Sequence, residues 1–128
     1  MTEKTAALIA LLETNGFRKE KSSERVEELK LTEHYYYKTY LKEGTSLAMS
    51  AYITINEWDD IEAPIENEYG ETEIIKESWS DHDGVGLQLT EKDFEVPDLI
   101  DLEEIVKSAR VELTRIEEEL DKLEFPRQ

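Results

Sequence analysis

The stretch that most constrains this chain is its last long one, Asp98 to Phe125. Leu102, Val106, Ala109, Leu113, Ile116, Leu120 and Leu123 alternate spacings of four and three, the period of one face of an α-helix. At about 1.5 Å per residue such a helix runs roughly 40 Å, longer than a small domain is wide. Its seam needs an apolar cover, supplied either by the chain's own sheet or by another molecule. Pro97-Asp98 offers a start, Asp101 and Glu104 fit a capping box, and Phe125-Pro126 is a stop signal.

The flanking charges bear on the choice of cover. In heptad terms a parallel homodimer would set Glu112 against the partner's Glu117 and Glu119 against its Glu124, where coiled coils place opposite charges. Leu99, Ile100 and Ile105 also widen the apolar stripe beyond a narrow seam. Both observations predict a helix docked on a sheet. Its length leaves the last turns, with Ile116, Leu120 and Leu123, as an expected contact with a second copy or a partner.

The rest of the chain must therefore supply that sheet. Residues 2–15 predict a short amphipathic helix, with Thr2 or Thr5 as cap and Leu8, Ile9, Leu11 and Leu12 as its apolar face. Asn15-Gly16-Phe17 is its stop, with Phe17 folding back on Leu12. Residues 18–30, a mixed charge run, hold either a first strand or a solvated connection. Residues 31–42 and 47–58 predict an antiparallel hairpin, rich in Tyr, Ile and Thr. Alternation groups Leu31, Tyr35, Tyr37 and Leu41 on one strand, and Leu47, Met49, Ala51, Ile53 and Ile55 on the next. For these sets to share a face, Leu41 must pair near Leu47 across an odd loop centred on Gly44. The opposite face then carries His34, Tyr36, Lys38, Tyr40, Tyr52, Thr54 and Trp58. Residues 59–71 predict a long acidic loop. Residues 72–80 and 85–90 predict a second hairpin turning at Asp81-His82-Asp83-Gly84, with Ile75, Trp79, Val85, Leu87 and Leu89 inward. Phe94, Val96 and Pro97 lead out of it. With 128 residues the chain forms a single domain, 1–128. The expected class is α+β: an N-terminal helix, an antiparallel β-sheet of about four strands in two hairpins, and the long C-terminal helix packed on the sheet.

Charge is the outstanding global property, with 32 acidic and 15 basic residues and a net charge of −17. Residues 1–58 carry 9 acidic and 8 basic side chains, whereas residues 59–128 carry 23 and 7. Such a field repels nucleic acid and anionic membrane and speeds encounter with basic proteins, though solubility alone also favours it. Within the final helix, Glu117, Glu118, Glu119, Asp121 and Glu124 oppose the helix dipole, so isolated helix stability does not explain them. The aromatic strand face reads more simply as cross-strand pairing than as a stacking platform for bases. Cysteine is absent, which removes disulfides and thiol chemistry and points to a cytoplasmic setting.

Catalytic motifs are weak. There is no phosphate-binding glycine loop and no nucleophile elbow, and His34 and His82 are the only histidines. Asp81-His82-Asp83 and Asp59-Asp60 are carboxylate-rich, but an Asp-x-Asp-Gly stretch is more often a turn than a cation loop. No metal, no cofactor and no enzyme activity is expected. The expected function is a non-enzymatic acidic protein that inhibits or sequesters a basic protein surface, such as that of a nuclease or nucleic-acid-binding protein. The expected binding residues are Asp59, Asp60, Glu62, Glu66, Glu68, Glu71, Glu73, Glu77, Asp81, Asp83, Glu117, Glu118, Asp121 and Glu124. In general character such a chain resembles phage-encoded anti-restriction and anti-CRISPR proteins. That resemblance implies mimicry of a nucleic-acid backbone, with no direct binding of nucleic acid or membrane. The alternatives are an immunity protein or antitoxin for one toxin, a small-molecule-binding oligomer using the aromatic face, and an assembly protein using the final helix, which includes a homodimer through its end.

Overall fold

The computed structural model describes residues 1–42, 44, 47–89 and 99–123. The elements run α1 (Glu3–Thr14), β1 (Arg18–Lys19), β2 (Glu24–Val26), a 3-10 turn (Glu27–Leu29), β3 (Leu31–Leu41), β4 (Ala48–Glu66), β5 (Thr72–His82), β6 (Gly86–Leu89) and α2 (Leu99–Leu123). All strand pairings are antiparallel. β1 and β2 pair in turn with β3, and β5 and β6 pair in turn with β4, so the sheet is a four-layer meander whose two outer layers are each interrupted. Both helices lie on one face. The class is α+β, with the long C-terminal helix on the sheet.

Local chemistry accounts for the helix ends. Thr2 caps α1, its hydroxyl accepting from the Thr5 N–H at 3.1 Å. At the other end Gly16 takes φ +89°, and the Phe17 and Gly16 N–H groups donate to the Leu12 and Glu13 carbonyls at 3.0 Å. That is the Schellman closure expected of Asn15-Gly16-Phe17. It carries Phe17 into the core beside Leu8, Ile9 and Leu12. α2 buries Ile105, Ala109, Leu113, Ile116 and Leu120, so the seam faces inward as predicted from its spacing, with Ile105 and not Val106 the buried residue near its start. Asp98, Glu124, Phe125 and Pro126 lie outside the described residues, as do Phe94, Val96 and Pro97.

Three expectations are corrected by the register. Leu41 pairs with Ala48, not Leu47, across a connection in which Glu43 and Thr45 lie outside the described residues. Directly opposed residues share a face, so Met49, Ala51, Ile53 and Ile55 lie with Tyr40, Lys38, Tyr36 and His34. The inward set on β3 is thus the one expected outside, and Tyr35, Tyr37 and Leu41 point away from the helices, while Leu31 of the expected set is buried. The physical reason is that His34, Tyr36 and Tyr40 bury large ring area, with the His34 nitrogens and the Tyr40 hydroxyl partnered. Lys38 can join them because its stem lies along the core while its ammonium reaches the Asn15 carbonyl at 2.7 Å and the Glu112 carboxylate.

The second correction concerns residues 59–71, expected as a loop. Residues 59–66 continue β4, and only 67–71 turn. Pairing with β5 overrides the acidic, proline-containing composition. Third, residues 72–80 and 85–90 do not pair with each other. β5 and β6 lie end to end along the same edge of β4, Ile55 opposite His82 and Tyr52 opposite Gly86. Asp81 and His82 end β5, and Asp83-Gly84 opens the step to β6, so the stretch is not a hairpin turn.

Candidate functional site

Two polar groupings stand out, one buried and one exposed. The buried one lies where the sheet meets the start of α1. Ser23 Oγ and His34 Nδ1 are 2.8 Å apart, and His34 Nε2 lies 3.3 Å from Glu57 Oε1. The other Glu57 oxygen accepts the Thr2 backbone N–H at 2.6 Å. Beside it Thr5 Oγ1 and Ser80 Oγ are 2.6 Å apart. His34, Glu57, Thr5 and Ser80 are all buried. Burial works to raise the Glu57 carboxyl, but the Thr2 N–H, Thr5 and His34 outweigh it and hold the group below its ordinary value. A carboxylate set against the first N–H groups of a helix is where the helix dipole favours negative charge. A serine, histidine and glutamate in file suggest a relay for nucleophilic attack. The same glutamate ties α1 to β4 through the Thr2 N–H, and the Thr5–Ser80 contact ties α1 to β5. The grouping is not visible in the sequence, because Glu57 and Ser80 are adjacent only through the β4–β5 register.

The exposed grouping is an arm. β3 stops pairing at Leu31, opposite Trp58. Beyond that point β4 and β5 continue as a two-stranded ribbon from Ile61 opposite Glu77 to Glu66 opposite Thr72, about 20 Å of extended chain. Its base is a bulge. Asp59 and Asp60 together stand where β5 supplies the single Ser78, whose hydroxyl donates to the Asp59 carboxylate. Asp60 takes φ +56°, and its carbonyl accepts the Lys30 ammonium at 2.9 Å. Asp has a short polar side chain and tolerates this left-handed conformation. The tip is organised by Asn67, whose side-chain oxygen accepts the Tyr69 and Glu71 N–H groups at 2.9 and 3.0 Å. Gly70, at φ +78°, completes the turn.

The arm gathers Glu62, Glu66, Glu68, Glu71 and Glu73, all exposed, and Glu77, half-buried at its base. Interleaved with them are exposed apolar side chains, Tyr69 at 80% and Ile74 at 68% exposure. The spacing is strict on β5: Glu73, Ile75, Glu77, Trp79 and Asp81 lie on one face and alternate acid with apolar. Trp79 meets Trp58 edge-on at 5.3 Å between centroids.

The remaining acids collect at the step between β5 and β6. Asn56 Nδ2 donates to Asp81 at 3.0 Å and to Asp83 at 2.9 Å. Burial raises the Asp81 carboxyl above its ordinary value despite the Asn56 bond, and the Asp83 charge adds to the effect. From α2, Asp121 lies 2.8 Å from His82 Nε2, and Glu117 accepts the Val85 N–H at 3.3 Å. The other ring nitrogen of His82 faces the Asp83 carbonyl at 2.8 Å, so both nitrogens face acceptors, and only the imidazolium donates to both at once. Glu118 is exposed, and Glu124 lies outside the described residues. The acids predicted from the sequence therefore divide in two. Asp59 to Glu77 build the arm, while Asp81, Asp83, Glu117 and Asp121 clamp the step.

The final turns of α2, expected to remain open, are filled from within: Ile116 and Leu120 are fully buried among α1 and sheet residues. On the uncovered sheet face Tyr37 and Tyr52 stack at 6.4 Å, a cross-strand pair as expected of aromatic strands, though Tyr37 replaces the inward Tyr36 and Tyr40 there. A cleft of about 240 Å³ opens beside it, lined by Gly16, Arg18, Tyr37, Lys38 and Thr39. Among the described residues no group of three or more His, Cys, Asp or Glu side chains is placed to hold a metal ion, and no helix is long and apolar enough to cross a membrane. Compared with models of known families, with curated proteins and with solved structures, the chain matches none.

Proposed function

We propose that this protein is a non-enzymatic acidic binding protein that inhibits or sequesters a basic protein partner in the cytoplasm. The observation that carries the reading is the arm. It is a regular ribbon extending past the end of β3, whose exposed acids are interspersed with exposed Ile65, Ile74 and Ile75 on its strands and Tyr69 at its tip. Solubility alone accounts for acids; it does not account for apolar side chains held between them on a paired scaffold. Isolated exposed apolar residues are ordinary, but a row rimmed by charge is the composition of a docking surface. The long-range field of a chain at net −17 steers a cationic partner, and the apolar positions supply contact once it arrives.

Mimicry of a nucleic-acid backbone in an anti-defence protein is the narrower form of this reading. It adds the requirement that nucleic acid compete with the arm for the partner. The test is capture of partners from host lysate by the full chain at about 50 mM and at about 500 mM salt, alongside a Glu66→Lys/Glu73→Lys variant. Binding should weaken steeply with salt, and the variant should lose it at both concentrations. Capture that is indifferent to salt and to the variant overturns the reading. Displacement of the captured partner by added duplex DNA separates the narrower form from the broader one.

A further inference from the structure

We propose that the outer edge of β5, along the arm, takes a lysine- or arginine-rich extended segment of the partner protein as an additional strand. This rests on the acidic docking role above and specifies the form in which the partner binds. Hydrogen bonds beyond both ends of β5 fix which of its backbone groups face outward. At one end the Asp83 N–H donates to the Thr54 carbonyl at 3.0 Å, and at the other the Asn67 N–H donates to the Glu71 carbonyl at 2.8 Å. Hydrogen-bonded pairs alternate along an antiparallel ladder. Counting inward from either end assigns the ladder bonds to Glu73, Ile75, Glu77, Trp79 and Asp81. The two counts agree because the bulge adds its extra residue to β4 and leaves β5 unbroken. The N–H and C=O groups of Thr72, Ile74, Lys76 and Ser78 therefore point away from β4. Among the described residues no strand pairs with them. Ser80 has the same parity but is buried beneath Thr2 and Thr5, so the usable edge ends at Ser78.

The other edge of the arm is closed. The same parity turns the backbone of Glu62, Pro64 and Glu66 outward on β4, and Pro64 has no N–H to offer. Proline at such a position is a common guard against strand addition. Each edge carries two glutamates along the arm, and the two differ in their capacity to bond.

Charge selects the occupant. A strand added to β5 lies about 4.8 Å away, with side chains directly beside Glu73, Ile75, Glu77, Trp79 and Asp81 on one face. The complementary segment carries Lys or Arg at i and i+4 with an apolar residue at i+2. A second copy of β5 paired about Glu77 would instead set Glu73 beside Asp81 and Glu77 beside itself, like charges directly opposed. Lys76, the only lysine or arginine of β5, points to the other face, opposite Glu62.

The probe is a short synthetic peptide, Lys-Thr-Val-Thr-Lys-Thr-Val, added to the full chain at low salt. Binding is followed by titration and by amide hydrogen exchange. On binding, the Ile74, Lys76 and Ser78 amides should slow, while the already bonded Ile75 and Glu77 amides stay as they were. Ile74→Pro removes one outward N–H and no ladder bond, so it should keep the fold and weaken the peptide about tenfold. Ile74→Thr keeps the N–H and should bind as the parent does. Should Ile74→Pro fail to fold, the exchange pattern of the parent decides. Salt-sensitive binding with those three amides still exchanging freely, or with Ile74→Pro at parental affinity, overturns strand addition and leaves acidic docking standing. No binding at low salt overturns both. Protection of the same amides by raising the protein concentration alone gives the edge to a second copy and overturns the proposal.

Discussion

Glu57 is the residue on which most of the interior chemistry turns. It is buried, and it joins β4 to the first N–H of α1 and to His34. Its carboxyl is held below the ordinary value of 4.5, burial opposing and the hydrogen bonds prevailing. A carboxyl depressed in the folded state stabilises the fold above its unfolded value, and that contribution is lost as pH falls through the folded one. Glu57→Gln should therefore be less stable than the parent at neutral pH, by about 1–2 kcal/mol. The gap should close as the pH falls below 4.5, which urea midpoints measured across the acid range will show. Glu112 acts in the same direction, since Lys38 and Tyr40 outweigh its burial. Asp81, raised by burial, acts in the opposite one, and its charge costs least at acid pH. None of this was legible in the sequence. One glutamate among thirty-two acidic residues carries no mark of burial, and its partners come from the start of α1 and from β3, both distant in the chain.

At the scale of the element, α2 was readable because a helix states its buried face in its own spacing. Ala109, Leu113, Ile116 and Leu120 are inward as the four-three rhythm requires. Leu120→Ala should cost about 3 kcal/mol, since the site is fully buried and packed against α1 and the sheet. Val111→Ala, on the exposed back of the same helix, should stay within about 0.5 kcal/mol. Thermal unfolding of the two variants checks the assignment of faces. Strands are less candid. Alternation shows that two faces exist but not which one the helices cover, and β3 has aromatic rings on both. One residue of register exchanged Tyr36 and Tyr40 for Tyr35 and Tyr37. The arm was hidden for a different reason. Its acids and its proline read as loop, and only pairing with β5 makes them a strand. The acids themselves were found correctly as a group. That the group splits into an exposed ribbon and a clamp at the β5–β6 step follows from topology alone.

For the whole molecule the governing quantity is net charge. At −17 the folded chain repels itself, and the repulsion is strongest between residues 59 and 83, where acids crowd both strands of the arm and the step beyond it. Salt screens that repulsion. The melting temperature should rise between about 10 mM and about 200 mM sodium chloride, against the fall expected were Lys38–Glu112 and Lys42–Asp101 the dominant electrostatics. A flat or falling profile would mean that the cross-element ion pairs outweigh the crowding. The meander and its helices thus carry the arm as a charged appendage, and the joint between body and appendage is the bulge at Asp59 and Asp60. Everywhere else in β4, dropping a residue would carry every later side chain to the wrong side of its ladder. At position 60 it would not: Trp58 pairs with Trp79 and Ile61 with Glu77, so without Asp60 a single residue would stand against Ser78 and Ile61 would still meet Glu77. The chain can change length there without changing a single pairing, so a descendant or ancestor one residue shorter should carry its gap at that aspartate.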